Sequence, residues 1–170
     1  IAPIVCNALA HPISLPDSSE KSWRQLYDVA ADYTILVFWD PECGHCKKEM
    51  PAMVEIHKKL KSEGKSVEVY AVSSDHNKKW KDFIKENKME EFTNVAVPQI
   101  YFEKQELARE VILKGNTDLK SLNYRTTFDV YSTPKVFLLD KNKKILAKQL
   151  EAEQLETLIN AYIKDKNKNK

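Results

Sequence analysis

Two cysteines separated by two residues, Cys43-Gly44-His45-Cys46, are the part of this chain whose chemistry is easiest to name. Thiols at that spacing can close a small disulfide ring and open it again, moving two electrons without an added group. They follow an apolar run, Ile35-Leu36-Val37-Phe38-Trp39, long enough for one buried strand and too short for a membrane span. Asp40 and Pro41 stop that strand, and residues 47–60 read as a helix. A thiol at a helix start meets unpaired N–H groups and the positive end of the dipole, which favour its thiolate. Asp40 and Glu42 add negative charge that opposes ionisation, and the sequence does not decide between the two effects. His45, as an imidazolium, would stabilise a neighbouring thiolate and make the disulfide more oxidising.

Glu49 lies three residues past Cys46 and six past Cys43, so one helix face can carry it beneath the pair. A partly desolvated carboxylate there can take or supply the proton a thiol must lose. The plainer alternative is a surface glutamate pairing with Lys47 and Lys48. Trp39 is expected to pack beside the cysteines rather than react. His11, His57 and His76 show no partner spacing, so surface or turn positions are expected. Cys6 has no obvious mate, and three cysteines are too few for a disulfide scaffold.

The elements that must position these residues can be read in outline. At 170 residues, 42% hydrophobic, the chain can bury one good core and is expected to be a single domain. Net charge is +2 with 31% of residues charged, so the signs nearly cancel and nucleic acid is not an expected partner. Pro3, Pro12 and Pro16 among short apolar pieces suggest edge strands or a hairpin lying on the main sheet. Ser22 is a candidate cap for a short helix over 23–28. Residues 33–39 read as a central strand. The helix over 47–62 should turn Met50, Val54, Ile56 and Leu60 inward, kink at Pro51 and end at Gly64.

A strand over 67–72 follows, joined by a parallel right-handed crossover, then a helix over 78–87. A short strand at 92–97, helical composition over 99–113 and another helix over 119–129 complete a weakly patterned middle. Residues 135–139 and 144–150 form an antiparallel pair across a polar turn, and Leu155, Leu158, Ile159 and Tyr162 mark a closing helix. The basic run over 164–170 reads as a disordered, solvated tail, with a polybasic arm as the alternative. No signal peptide, membrane-spanning run or lipidation motif is present, and a chain opening on Ile1 is expected to be a processed or trimmed form.

The order strand–helix–strand–helix, then strand–strand–helix, describes an α/β domain whose mixed central sheet has helices on both faces. With these residues in it, the chain resembles the TlpA/ResA-like branch of thioredoxin-fold thiol:disulfide oxidoreductases. The resemblance rests on Phe38-Trp39, Cys43-Gly44-His45-Cys46, Lys47-Lys48-Glu49, Pro51, and Ser132-Thr133-Pro134 ahead of a late strand, and covers roughly residues 3–163. It implies a thioredoxin-like domain over 1–163, with N-terminal edge strands and a short helix in 1–32 and a helical insertion in 99–119. That insertion could lie near the substrate face or be a surface ornament.

The resemblance also implies roles. Cys43 would be the nucleophile, Cys46 the buried resolving thiol and Glu49 an active-site carboxylate, while Gly44, His45 and Trp39 would tune the pair. The Thr133–Pro134 bond would be cis, with the backbone of Thr133 pairing with an extended substrate. Only about 5–6% of X–Pro bonds are cis, so a trans proline would be the ordinary reading without the cysteines. Cytosolic thioredoxins carry an aspartate where this chain has Val37, which leaves proton handling to Glu49 or water. Gly-His between the cysteines also occurs in protein disulfide isomerases, at about −180 mV against about −270 mV for thioredoxin, a gap of roughly 4 kcal/mol; an intermediate potential is expected here. No cofactor is implied beyond a redox-active Cys43–Cys46 disulfide. Expected partners are protein thiols or disulfides and an upstream membrane or soluble thiol electron donor, acting on a monomer outside the cytoplasm, with an anchor outside this chain as one arrangement.

Two other readings stay open. A metal module for zinc or copper would use both cysteines and a histidine, but no second ligand pair has matching spacing. A peroxidase of the peroxiredoxin type would place a Thr or Ser three residues before its cysteine and a proline further back, where this chain has Asp40 and Leu36.

Overall fold

The computed structural model describes residues 6–168. It opens with a hairpin, β1 (Ser14–Pro16) antiparallel to β2 (Trp23–Gln25), followed by a 3₁₀ turn at Leu26–Asp28. The helix expected over 23–28 is therefore half strand and half turn. Pairing with β1 satisfies this backbone, and the Leu26 N–H donates to the Ile13 carbonyl at 2.9 Å while its side chain is fully buried. The hairpin is a separate two-stranded sheet, tied to the main one by single bridges, Leu9 to Lys144 and Asp17 to Val95. Pro3, Ile4 and Val5 lie outside the described residues.

The main elements follow in order: β3 (Tyr33–Trp39), α1 (Gly44–Ser62), β4 (Val67–Ser73), α2 (Lys78–Glu86), β5 (Thr93–Ala96), α3 (Ile100–Glu103) and α4 (Gln105–Leu113). Then come α5 (Leu119–Leu122), α6 (Tyr124–Thr127), β6 (Lys135–Leu139), β7 (Ile145–Lys148) and α7 (Ala152–Lys168). Five strands form one sheet in the order β5-β4-β3-β6-β7. β3, β4 and β5 run parallel, β6 is antiparallel to β3, and β7 is antiparallel to β6, giving the mixed sheet the element order implied.

All seven residues of β3 are buried, and the two-residue period of a strand divides them between two cores. Ile35, Val37 and Trp39 face α1, α2 and α7, packing with Met50, Met53, Trp80, Leu155 and Ile159. Leu36 and Phe38 face the hairpin and short helices, packing with Leu15, Leu26, Leu122, Tyr124 and Phe128. The thioredoxin-like architecture is the expected one.

Local boundaries depart from expectation where distant contacts intervene. In α1, Met50 and Leu60 are buried as the pattern implies, but Met53 and His57 complete the stripe, while Val54 and Ile56 are half-buried. Pro51 sits inside α1, which continues through Ser62. Lys104 adopts extended angles and splits the helix over 99–113, and Asn123 splits the one over 119–129. The run taken for a disordered tail from 164 onward is helical through Lys168, its lysines placed where a helix C-terminus favours cations. Residues 169 and 170 lie outside the description. None of the described helices is long and apolar enough to cross a membrane.

Of the three histidines expected at surface or turn positions, His11 and His76 lie in partly exposed connecting segments, whereas His57 departs from expectation. His57 is buried, with Nε2 3.3 Å from Glu68 Oε2 and its ring edge-on to Phe92. His76 packs against Trp80 with Nδ1 3.5 Å from Glu20, and His11 Nε2 lies 2.9 Å from Asp118.

Candidate active site

α1 begins at Gly44 rather than near 47, because a cysteine sulfur supplies its cap. Cys43 is the N-cap residue, with extended backbone angles, and its Sγ accepts the Cys46 N–H at 3.2 Å. A sulfur thus occupies the place a serine or aspartate oxygen normally takes at a helix start. That geometry brings helix N–H groups to Cys43 and leaves Cys46 buried in the core above Met50. Both are free thiols here, as is the exposed Cys6.

The two thiols are pushed in opposite directions. At Cys43, partial burial works against ionisation, but hydrogen bonds from the Cys46 thiol, the Thr133 side chain and the Cys46 and His45 amides outweigh it. The net effect lowers its pKa below the ordinary thiol value. Burial, followed by the Cys43 hydrogen bond, pushes Cys46 up to about 12. Glu42 does not spoil this arrangement: its carboxylate is hydrogen-bonded by Lys79, which also lowers the Glu42 pKa. The contest the sequence left open is thus decided for the thiolate, by the hydrogen bonds that Cys46, Thr133 and His45 bring to the sulfur.

Thr133–Pro134 is cis, and the Thr133 carbonyl accepts from the Cys43 thiol at 3.4 Å, so the loop expected to face the sulfurs does so. Glu49 lies on the same helix face as His45, its Oε1 3.8 Å from His45 Nε2, with side chains 15% and 54% exposed. Its other oxygen accepts the Ala152 N–H at 2.7 Å, at the start of α7. Neither expected role, free proton carrier or partner of Lys47 and Lys48, included that helix cap. Val37, between Ala71 and Val136, is fully buried and carries no proton. Trp39 packs against Phe83 in the core beside the cysteines. Gly44 is exposed with open space around its Cα, so a side chain there would meet no neighbour.

Two cavities border the Thr133-Pro134 loop that faces Cys43. One, about 500 Å³, is lined by His45, Glu49, Tyr131, Pro134, Lys135 and Glu151 among others; a smaller one of about 190 Å³ includes Asp40, Ser74, Arg125, Tyr131 and Thr133. The segment 99–119 has its own apolar groove of about 500 Å³ against α5, lined by a separate set of residues. Among the described residues, the only grouping of three potential metal donors is Asp40, Glu42 and Asp75, which includes neither thiol. Leu36 is core, and Asp40 accepts the Glu42 N–H, so neither offers what a peroxidatic cysteine would need there.

Sequence reasoning missed Lys79, the Ala152 amide and Tyr131. Tyr131, 87% exposed, had a visible signal: an aromatic two residues ahead of Thr133.

Comparison with known proteins agrees with this geometry. The model of the AhpC/TSA family matches residues 7–148. The thiol-disulfide oxidoreductase ResA of Bacillus thuringiensis subsp. konkukian is 28% identical over 141 residues, 82% of this chain and 66% of that protein, just under two thirds of its length. A domain of a possible thiol-disulfide isomerase from Cytophaga hutchinsonii is 31% identical, with 99% of each chain covered and a TM-score of 0.76. The thioredoxin domain of a Bacteroides vulgatus thiol-disulfide oxidoreductase shares the fold at 20% identity and a TM-score of 0.72, covering 94% of this chain and 99% of that one. The capped cysteine pair, the Thr133-Pro134 loop and these matches converge: the chain belongs to the AhpC/TSA family, on its thioredoxin-fold, TlpA/ResA-like thiol:disulfide oxidoreductase branch.

Proposed function

We propose that this protein exchanges disulfides with protein substrates, with Cys43 as nucleophile and Cys46 as resolving thiol. The observation that carries the reading is the split between the thiols: Cys43 caps α1 and is held below the ordinary thiol pKa, while Cys46 is buried and raised to about 12. Only a thiolate attacks, so the first step falls to Cys43. Its sulfur bonds to one sulfur of the substrate disulfide, the S–S bond breaks, and the other substrate sulfur leaves as a thiolate. Cys46 then loses its proton, attacks the Cys43 sulfur of the mixed disulfide and expels the second substrate thiolate. Two electrons have passed to the substrate, and the protein holds a Cys43–Cys46 disulfide. Run backwards, the same steps oxidise a substrate dithiol.

Glu49, one turn past Cys46 and shielded from solvent, is proposed to accept the proton Cys46 must lose. Thr133 would present its backbone to an extended substrate segment beside Cys43, supported by the 3.4 Å approach of its carbonyl to the sulfur. By resemblance to the ResA-like branch, the activity is proposed to operate outside the cytoplasm, on a monomer, recharged by a membrane or soluble thiol donor.

The test is covalent trapping. Cys46→Ala should accumulate a mixed disulfide with insulin or a peptide disulfide, visible by non-reducing mass spectrometry, and Cys43→Ala should not. Equal trapping by both variants would reverse or abolish the assignment.

A further inference from the structure

The loop that carries Thr133 presents Tyr131 to solvent in an unusual way. Asp129 has a left-handed φ of 53°, turning the chain outward after α6, and Tyr131 emerges 87% exposed. A solvated tyrosine returns almost nothing to stability, since the benefit of an aromatic side chain comes from the area it removes from water. Within the loop its hydroxyl makes one long contact, donating to Asp129 Oδ1 at 3.5 Å. Yet this ring borders both cavities along the Thr133-Pro134 loop, the one holding Glu49 and the one holding Asp40 and Arg125. It stands on the ridge between them, two residues from the carbonyl that touches Cys43.

From this we infer that Tyr131 is the specificity-determining contact of the site, receiving an apolar side chain next to the reacting cysteine of a polypeptide disulfide. The inference rests on the disulfide-exchange reading and deepens it. A segment extended along Thr133 to place its sulfur on Cys43 must cross the ridge. An apolar side chain laid on the Tyr131 ring is desolvated there together with the ring. A tyrosine offers this area with only two rotatable side-chain bonds to fix, which is why such residues carry much of the affinity at recognition surfaces. The cavity on one side carries Glu49, Asp129 and Glu151 against Lys135 and Lys148, and the other carries Asp40 against Arg125, so the Tyr131 ring is an apolar surface between two sites of mixed charge. A small disulfide such as oxidised glutathione reaches the sulfurs without needing the ridge. The chemistry of exchange is unchanged: the same S–S bond breaks, the same two electrons move, and Tyr131 takes no proton.

The experiment measures exchange by the reduced protein with three disulfides: a peptide with leucine beside its cysteine, the same peptide with glycine there, and oxidised glutathione. Wild-type protein should prefer the leucine peptide to the glycine peptide by about tenfold in kcat/KM, mainly through KM. In Tyr131→Ala that preference should collapse to near unity, and the leucine-peptide-to-glutathione ratio should fall by a similar factor. Tyr131→Phe should restore both, because the ring and not the hydroxyl makes the contact. An Ala variant that keeps the wild-type preference, or a loss falling equally on all three disulfides, overturns the inference while leaving disulfide exchange standing. Wild-type protein inert toward all three would overturn the exchange reading itself.

Discussion

Cys43 and Cys46 share one turn of helix, yet their chemical differences come from what each sulfur faces. Cys43 looks out along the helix start, where amides and a neighbouring thiol stabilise its charge; Cys46 looks into the core, where nothing solvates one. A lowered pKa means the thiolate persists to lower pH, so reactivity should be gained earlier in a pH titration. Iodoacetamide alkylation of the reduced protein should therefore show a Cys43 inflection below the ordinary thiol value of about 8.5. Cys46 should stay unreactive until the pH nears 12. Lys79→Ala should move the Cys43 inflection upward, because Glu42 would then face the site unpaired. That movement should be small and vanish in high salt, since both side chains are solvated. An unmoved inflection would mean that Glu42 does not act on the thiolate.

Between elements, Glu49 is the joint. One carboxylate links the cysteine-bearing helix α1 to the first amide of α7, while the Gln154 side chain accepts the Glu151 N–H in the reciprocal half of the same cap. Glu49→Ala should cost about 1 kcal/mol, the usual value of a lost cap, and lower Tm by about 2–4 °C. Glu49→Gln keeps an oxygen for the Ala152 amide and should retain most of that stability, but it cannot carry a proton at neutral pH. Slower resolution of the mixed disulfide by the Gln variant would assign proton transfer to the carboxylate; a wild-type rate would leave Glu49 with a structural role only. The extent of α1 was largely legible and so were Met50 and Leu60 on its buried stripe, but Met53 and His57 are buried where Val54 and Ile56 were expected. The first turn of α1 was not legible, because a cysteine is not an ordinary cap, and only the sulfur's contact with the Cys46 amide makes it one.

Across the molecule, the sheet separates two cores, and the N-terminal segment closes the second. Lys143 shows how: at the turn after β6, with a left-handed φ of 66°, it is only 4% exposed and its Nζ donates to the Val29 carbonyl at 2.7 Å. A lysine in a polar turn reads as solvated, yet here it ties residues 114 positions apart. Lys143→Ala should cost about 1–3 kcal/mol, measurable as a lower urea midpoint with an unchanged m-value. An unchanged midpoint would mean the bond has no net value. The sequence by itself determined the buried strands, through their two-residue and unbroken apolar patterns, and the pairing of two thiols at a spacing that can close a disulfide. Both are local, carried by residues that are neighbours in the chain. Tertiary structure alone decided which way each thiol titrates and what surrounds it. Thr133 reaches Cys43 from 90 positions away, Ala152 reaches Glu49 from 103 and Lys79 reaches Glu42 from 37. No local pattern records which distant group will arrive, because that is set by how the sheet stacks its strands and which ends of them it brings together.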